Sequence, residues 1–249
     1  MRRLKPKFLK DRKLAPIVPG FFTFGNMLCG FISIIQSTEG KYSSGAWLII
    51  FGAMFDMLDG KIARLTRGTS EIGVQLDSLS DFLTFGVAPG ILLFSLGIYR
   101  FDNWGFIIPV LYLLAGAFRL ARYNVNADAH VKADFQGLPI PLAALFVTSF
   151  IIFSYEIWDT IKYVQIFTPA MVLLSWLMVS NVRYPAAPKL PKGKAKWLAV
   201  LIAIPVLATL IKPRWFLFPV ILIFIIQGFL KELITNFIKH ERKRKWDIE

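Results

Sequence analysis

The chain has 249 residues, 55% of them hydrophobic, with a mean hydropathy of +0.56, a composition that excludes an ordinary soluble domain and indicates an all-α polytopic membrane protein. A single cysteine, Cys29, excludes an intrachain disulfide and a cysteine-built metal site, and two histidines, His130 and His240, leave little for histidine chemistry. The net charge of +13 calls for an anionic surface, and the placement of that charge along the chain decides which one.

Residues 1–16 are basic and lead into an apolar run without an A-x-A cleavage site, so they read as a retained cytoplasmic arm. Runs long enough to cross about 30 Å of hydrocarbon follow at 17–37, 43–64, 77–98, 104–124, 139–157, 163–182, 196–211 and 215–238. About eight transmembrane helices are expected, six forming a core over 17–185 and two in a C-terminal unit over 186–249 with a basic tail. Pro205 interrupts the seventh run, which could instead pair with the eighth as a re-entrant hairpin. With the N-terminus inside, 24 of the 29 lysines and arginines fall on the cytoplasmic side. The positive charge thus serves topology and anionic lipid, and nucleic acid need not be invoked.

Within the first run, Pro19, Thr23 and Asn26 share a polar stripe, read either as packing between helices or as ligand contact. The second run carries Asp56 and Asp59 near its cytoplasmic end, and 66–72 form a short polar loop. The third run opens on Asp77 and Asp81. Arg119 and Arg122 end the fourth run, three residues apart on one face, and serve either as membrane anchors or as an anion site. The loop after them carries Asp128, His130, Lys132 and Asp134, then a turn through Pro139 and Pro141 into the fifth run. The tail at 239–245 is a charge run facing lipid.

Each carboxylate in an apolar segment costs about 2.5 to 3.5 kcal/mol, so four cost on the order of 10 kcal/mol and require compensation. Asp56 and Asp59 are three residues apart and Asp77 and Asp81 four, so each pair leaves one face of a helix. Two such pairs facing each other make an all-oxygen cage of the kind that suits Mg²⁺ or Mn²⁺. Gly60 admits a ligand to the helix backbone, Ala63 keeps that face open, and Arg64 offers a planar fork for phosphate.

The whole string, D-x-x-D-G-x-x-A-R-x8-G-x-x-x-D-x-x-x-D, is similar at all its defining positions to the signature of the CDP-alcohol phosphotransferases. The strings DSLSDFLTFGVAP, FRLARYN, FQGLPIPLAA and SNVRYP resemble the phosphatidylserine synthase branch of that family, extending the likeness from about Pro19 to Pro185. In relatives an asparagine commonly follows the proline at position 19, where this chain has Gly20. The resemblance implies transfer of a phosphatidyl group from CDP-diacylglycerol to L-serine, with release of CMP, at a two-metal site of Mg²⁺ or Mn²⁺. It implies Asp56, Asp59, Asp77 and Asp81 as metal ligands and Asp81 as the general base. It further implies Gly60, Arg64 and Ser70 at the nucleotide, and a homodimer. Arg119 and Arg122 are the sequence candidates for the acceptor's carboxylate. Other acceptors, such as glycerol phosphate or inositol phosphate, an ether-lipid donor, and from another class a cation transporter with intramembrane carboxylates, are the alternatives.

Overall fold

The computed structural model describes residues 17–66, 71–97, 106–127, 135–162, 164–184 and 209–246. Long helices dominate them: α1 Ile17–Thr38, α2 Tyr42–Thr66, α3 Glu71–Asp81, a π-helical stretch Phe82–Val87, α4 Ala88–Ser95, α5 Ile107–Ala127, α6 Ile140–Trp158, α7 Val164–Val179 and α8 Pro213–Trp246. At 1.5 Å per residue, the 22 residues of α1 extend about 33 Å, enough to cross the hydrocarbon. Four segments are apolar and long enough to span on composition alone: Gly20–Thr38, Ile72–Ser95, Ile140–Trp158 and Pro213–Lys231. Helices α2 and α5 match them in length but carry the charged residues noted above. The protein is a multi-pass, all-α membrane protein.

Seven of the eight expected spans correspond to helical rods, α3, the π stretch and α4 forming one of them. Most of the run expected at 196–211 lies outside the described residues. Two features differ from expectation. The third rod begins at Glu71, so Asp77 and Asp81 sit inside it rather than at its opening. Near a membrane every backbone amide needs a partner, and lengthening a helix supplies partners more readily than a loop does.

The second difference is the π stretch directly after Asp81, which the apolar sequence did not announce. The Ala88 amide donates to Leu83 O, five residues back. Pro89, four residues on, has no N–H to donate to the Phe85 carbonyl, and the fully buried Tyr112 hydroxyl on α5 donates to it at 3.0 Å. Single π turns of this type often accompany functional sites.

Helices α1 and α2 run side by side, with Ser33 Oγ donating to Gly45 O at 2.8 Å. Thr84 of the π stretch is wedged between them. A Cβ added at Gly52 would lie 2.6 Å from Thr84 Cγ2, so close three-helix packing depends on the missing side chain. The Thr84 hydroxyl donates to Asn26 O at 2.9 Å, and Ser80 Oγ to Thr23 O at 3.0 Å.

Helix α6 is the axis of the core, burying Ala143, Ala144, Val147 and Ile151 completely. Phe150 stacks on Phe167 of α7 with ring centroids 4.0 Å apart, and Phe218 of α8 packs edge-on to Phe150 at 5.3 Å. With Ile221 and Ile225 also buried, α8 shares the core built by α6 and α7. Among the described residues there is, besides the helices, one short antiparallel bridge, Phe135–Gln136 (β1) with Arg183–Tyr184 (β2), pairing Phe135 with Tyr184 and Gln136 with Arg183.

Candidate active site

The late turns of α2, the middle of α3, the end of α5 and the start of α6 meet around a cavity of about 600 Å³. Its lining includes Asp56, Asp77, Asp81, Arg119, Tyr123 and Asn124. The i, i+4 spacing on α3 aims Asp77 and Asp81 the same way, and α2 sets Asp56 opposite them. Carboxylate oxygens of Asp56, Asp77 and Asp81 lie within 4.8 Å of one another. Two oxygens bound at about 2.1 Å to one Mg²⁺-sized ion are separated by roughly 3 to 4.2 Å. The trio is thus close to the spacing a cation imposes, and its donor set is the hard oxygen type that Mg²⁺ and Mn²⁺ prefer.

Asp59 is placed differently from the expectation that all four aspartates form one ligand set. It is buried, and its Oδ2 accepts a hydrogen bond from Thr23 Oγ1 of α1. One turn from Asp56, it still repels both Asp56 and Asp77 electrostatically. The reason is geometric: residues three apart on a helix diverge by about 60°, and here α1 lies on the side to which Asp59 turns.

Asp81 is held by Asn26, whose amide nitrogen donates to Asp81 Oδ1 at 3.2 Å. Asn26 is 1% exposed and its own Oδ1 has no hydrogen-bond partner among the described residues, so its orientation serves the carboxylate at the expense of a buried acceptor. The polar stripe of α1 is therefore both packing and support: the backbone carbonyls of Thr23 and Asn26 receive α3 and π-stretch hydroxyls while their side chains hold Asp59 and Asp81.

Arg119 lines the cavity and is buried, with the Tyr123 ring 5.3 Å from its guanidinium carbon and Asp81 as its attracting carboxylate. Arg122 does not line the cavity. Its Nη1 donates to Val179 O at 2.9 Å and its Nη2 to Gln136 O at 2.8 Å, away from the carboxylates. Of the two sequence candidates for an acceptor's carboxylate, Arg119 lines the cavity, whereas Arg122 is held by backbone carbonyls and the Asn181 side chain. Asn124, unremarked in the sequence, donates to Ser78 Oγ at 3.0 Å and ties α5 to α3 across the cavity.

Gly60 is exposed, and a Cβ built there meets nothing within 4 Å, leaving the α2 backbone open to a ligand. Arg64 lies in the last turns of α2, its side chain outside the described residues, and Ser70 lies outside them altogether.

Comparison with known proteins gives this arrangement its context. The CDP-alcohol phosphatidyltransferase family profile matches residues 16–179. The chain is 34% identical over 188 residues to a CDP-diacylglycerol–serine O-phosphatidyltransferase of Helicobacter pylori, covering 75% of this chain and 79% of that one. It is 33% identical over 183 residues to the archaetidylserine synthase of Methanothermobacter thermautotrophicus, with 71% and 74% covered. A Bacillus subtilis CDP-diacylglycerol–serine O-phosphatidyltransferase is 30% identical over 187 residues, covering 71% of this chain and 97% of that protein. In fold, the chain is similar to the crystal structure of Mycobacterium tuberculosis phosphatidylinositol phosphate synthase with CDP-DAG bound. The TM-score is 0.52 at 21% identity, with 66% of this chain and 80% of that one covered. Membership of a transferase family removes the cation-transporter alternative. On the family profile and on relatives at 30 to 34% identity, this chain is a member of the CDP-alcohol phosphatidyltransferase family.

Proposed function

We propose that the protein transfers the phosphatidyl group of CDP-diacylglycerol to the hydroxyl of L-serine, giving phosphatidylserine and CMP. The observation that carries this reading is the convergence of Asp56, Asp77 and Asp81 with Arg119 on one cavity, in a family whose members join CDP-linked lipids to alcohols. The serine-named relatives in bacteria and an archaeon favour serine over a phosphorylated acceptor. So does the charge of the cavity, whose described lining offers one cationic side chain, Arg119. One arginine suits a carboxylate; an acceptor phosphate would call for more.

In this reading Asp56, Asp77 and Asp81 would hold one divalent ion, and Asp59, one turn from Asp56, would contribute to a second. When bound, such ions neutralise the diphosphate and the departing CMP. The chain's residues do the rest. Arg119 fixes the serine carboxylate by a charge-assisted pair. Asp81, oriented by Asn26, accepts the proton of the serine hydroxyl as its oxygen bonds to the phosphatidyl phosphorus and the bond to the CMP oxygen breaks. Attack is direct, with no covalent enzyme intermediate. Gly60, Arg64 and Ser70 receive the CMP portion.

The active-site end faces the cytoplasm, where nucleotide-activated lipid is made, consistent with 24 of 29 basic residues on that side. The deciding experiment is an acceptor screen on purified protein in detergent, reading CMP. Serine-dependent CMP release from CDP-diacylglycerol is expected; release with glycerol phosphate or inositol phosphate but not serine would replace the acceptor assignment.

A further inference from the structure

We infer that Arg122 is a positioning residue that fastens the wall of the acceptor side of the cavity, an inference that rests on the serine-transfer reading above. Helix α7 ends at Val179, where the last carbonyls of any helix lack intrahelical partners. Arg122, reaching over from α5, satisfies several of them. Nη2 donates to Met178 O at 3.2 Å and Ser180 O at 3.1 Å, and Nη1 to Val179 O at 2.9 Å and Asn181 Oδ1 at 3.4 Å. The same Nη2 donates to Gln136 O at 2.8 Å, so one guanidinium joins three stretches of chain: α5, the end of α7 and the strip that starts α6.

That strip is also tied to the end of α7 by its own backbone. The Gly137 amide donates to Val182 O at 2.8 Å and the Leu138 amide to Leu177 O at 3.0 Å, and β1 pairs with β2 beside them. Gly137 has φ of +78°, and a Cβ there would press into Met178 O, Arg122 Nη2 and Ser180 O, so the close approach requires glycine twice over. Two and four residues on, Pro139 and Pro141 line the cavity together with Arg119 and Asp81. The position of this wall is thus set by a clamp with no group in the cavity itself. Arginine suits the task because its planar fork presents several donors at once; a lysine ammonium on the same stem cannot address five oxygens in this layout.

Two readouts on the full-length protein, in a Cys29→Ser background, test the clamp. Kinetically, Arg122→Ala and Gly137→Ala should each raise the serine KM about tenfold or more, with the CDP-diacylglycerol KM changed less than about twofold. Arg122→Lys should recover little of the loss. Structurally, Leu138→Cys, fully buried in the native fold, should resist a maleimide, and adding Arg122→Ala should make it react. Absence of labelling in the Leu138→Cys, Arg122→Ala double variant, or serine and lipid KM rising together with a collapse in melting temperature, would overturn the inference. If the parent protein releases no CMP with serine while the labelling still appears on loss of Arg122, the acceptor assignment fails and the clamp stands.

Discussion

At the scale of single residues, the chemistry centres on Asp81 and the groups around it. Asp81→Asn should lower turnover about 10² to 10⁴-fold, the range a general base supplies, while binding of the CDP-linked lipid persists; turnover assays with a lipid-binding measurement on the same preparation check this. Asn26 donates to that carboxylate from a fully packed position, so Asn26→Leu should lower kcat about tenfold or more with little change in either KM. Arg119→Ala should raise the serine KM far more than the lipid KM, and an unaltered serine dependence would reduce Arg119 to a membrane anchor. The carboxylates were legible from sequence because intramembrane charge is costly and their spacing restricts which faces they share. The fate of Arg122 was not legible, because four of its five acceptors are main-chain carbonyls, of Met178, Val179, Ser180 and Gln136, and backbone acceptors leave no mark on composition. The support given by Thr23 and Asn26 was half visible as a polar stripe, whereas its targets required three-dimensional neighbours 36 and 55 residues away.

Among the elements, the rod from Glu71 to Ser95 shows what periodicity can and cannot convey. Apolar length announced a span, and the structure bears that out, but the change from α to π winding after Asp81 has no compositional signature. It depends on distant partners, Tyr112 for the Phe85 carbonyl and Asn26 for the Thr84 hydroxyl. Tyr112→Phe should therefore cost about 1 to 3 kcal/mol of stability, read as a lower midpoint of unfolding in detergent, because it leaves a buried carbonyl without its donor. Gly52→Val should be more damaging, since a side chain there collides with Thr84 and forces α2 away from the π stretch. Loss of folded protein on purification is the expected readout.

For the molecule as a whole, the site lies where α2, α3, α5 and the start of α6 meet, with α1 adding hydrogen bonds to Asp59 and Asp81. The share of α8 in the core, through Phe218, Ile221 and Ile225, was not evident from sequence. An apolar helix reads alike whether it faces lipid or protein. The cavity gathers three carboxylates and one buried arginine at one end of the bundle, a charge pattern that a divalent cation would complete. Removing metal with a chelator should abolish CMP release, and Mn²⁺ or Mg²⁺ should restore it in wild type but not in Asp56→Asn. The most direct measurement is an anomalous difference map from crystals grown with Mn²⁺ and CDP-diacylglycerol. The account predicts a peak among Asp56, Asp77 and Asp81, with the diphosphate beside it; active protein whose Mn²⁺ lies elsewhere, with those three carboxylates unengaged, would contradict it.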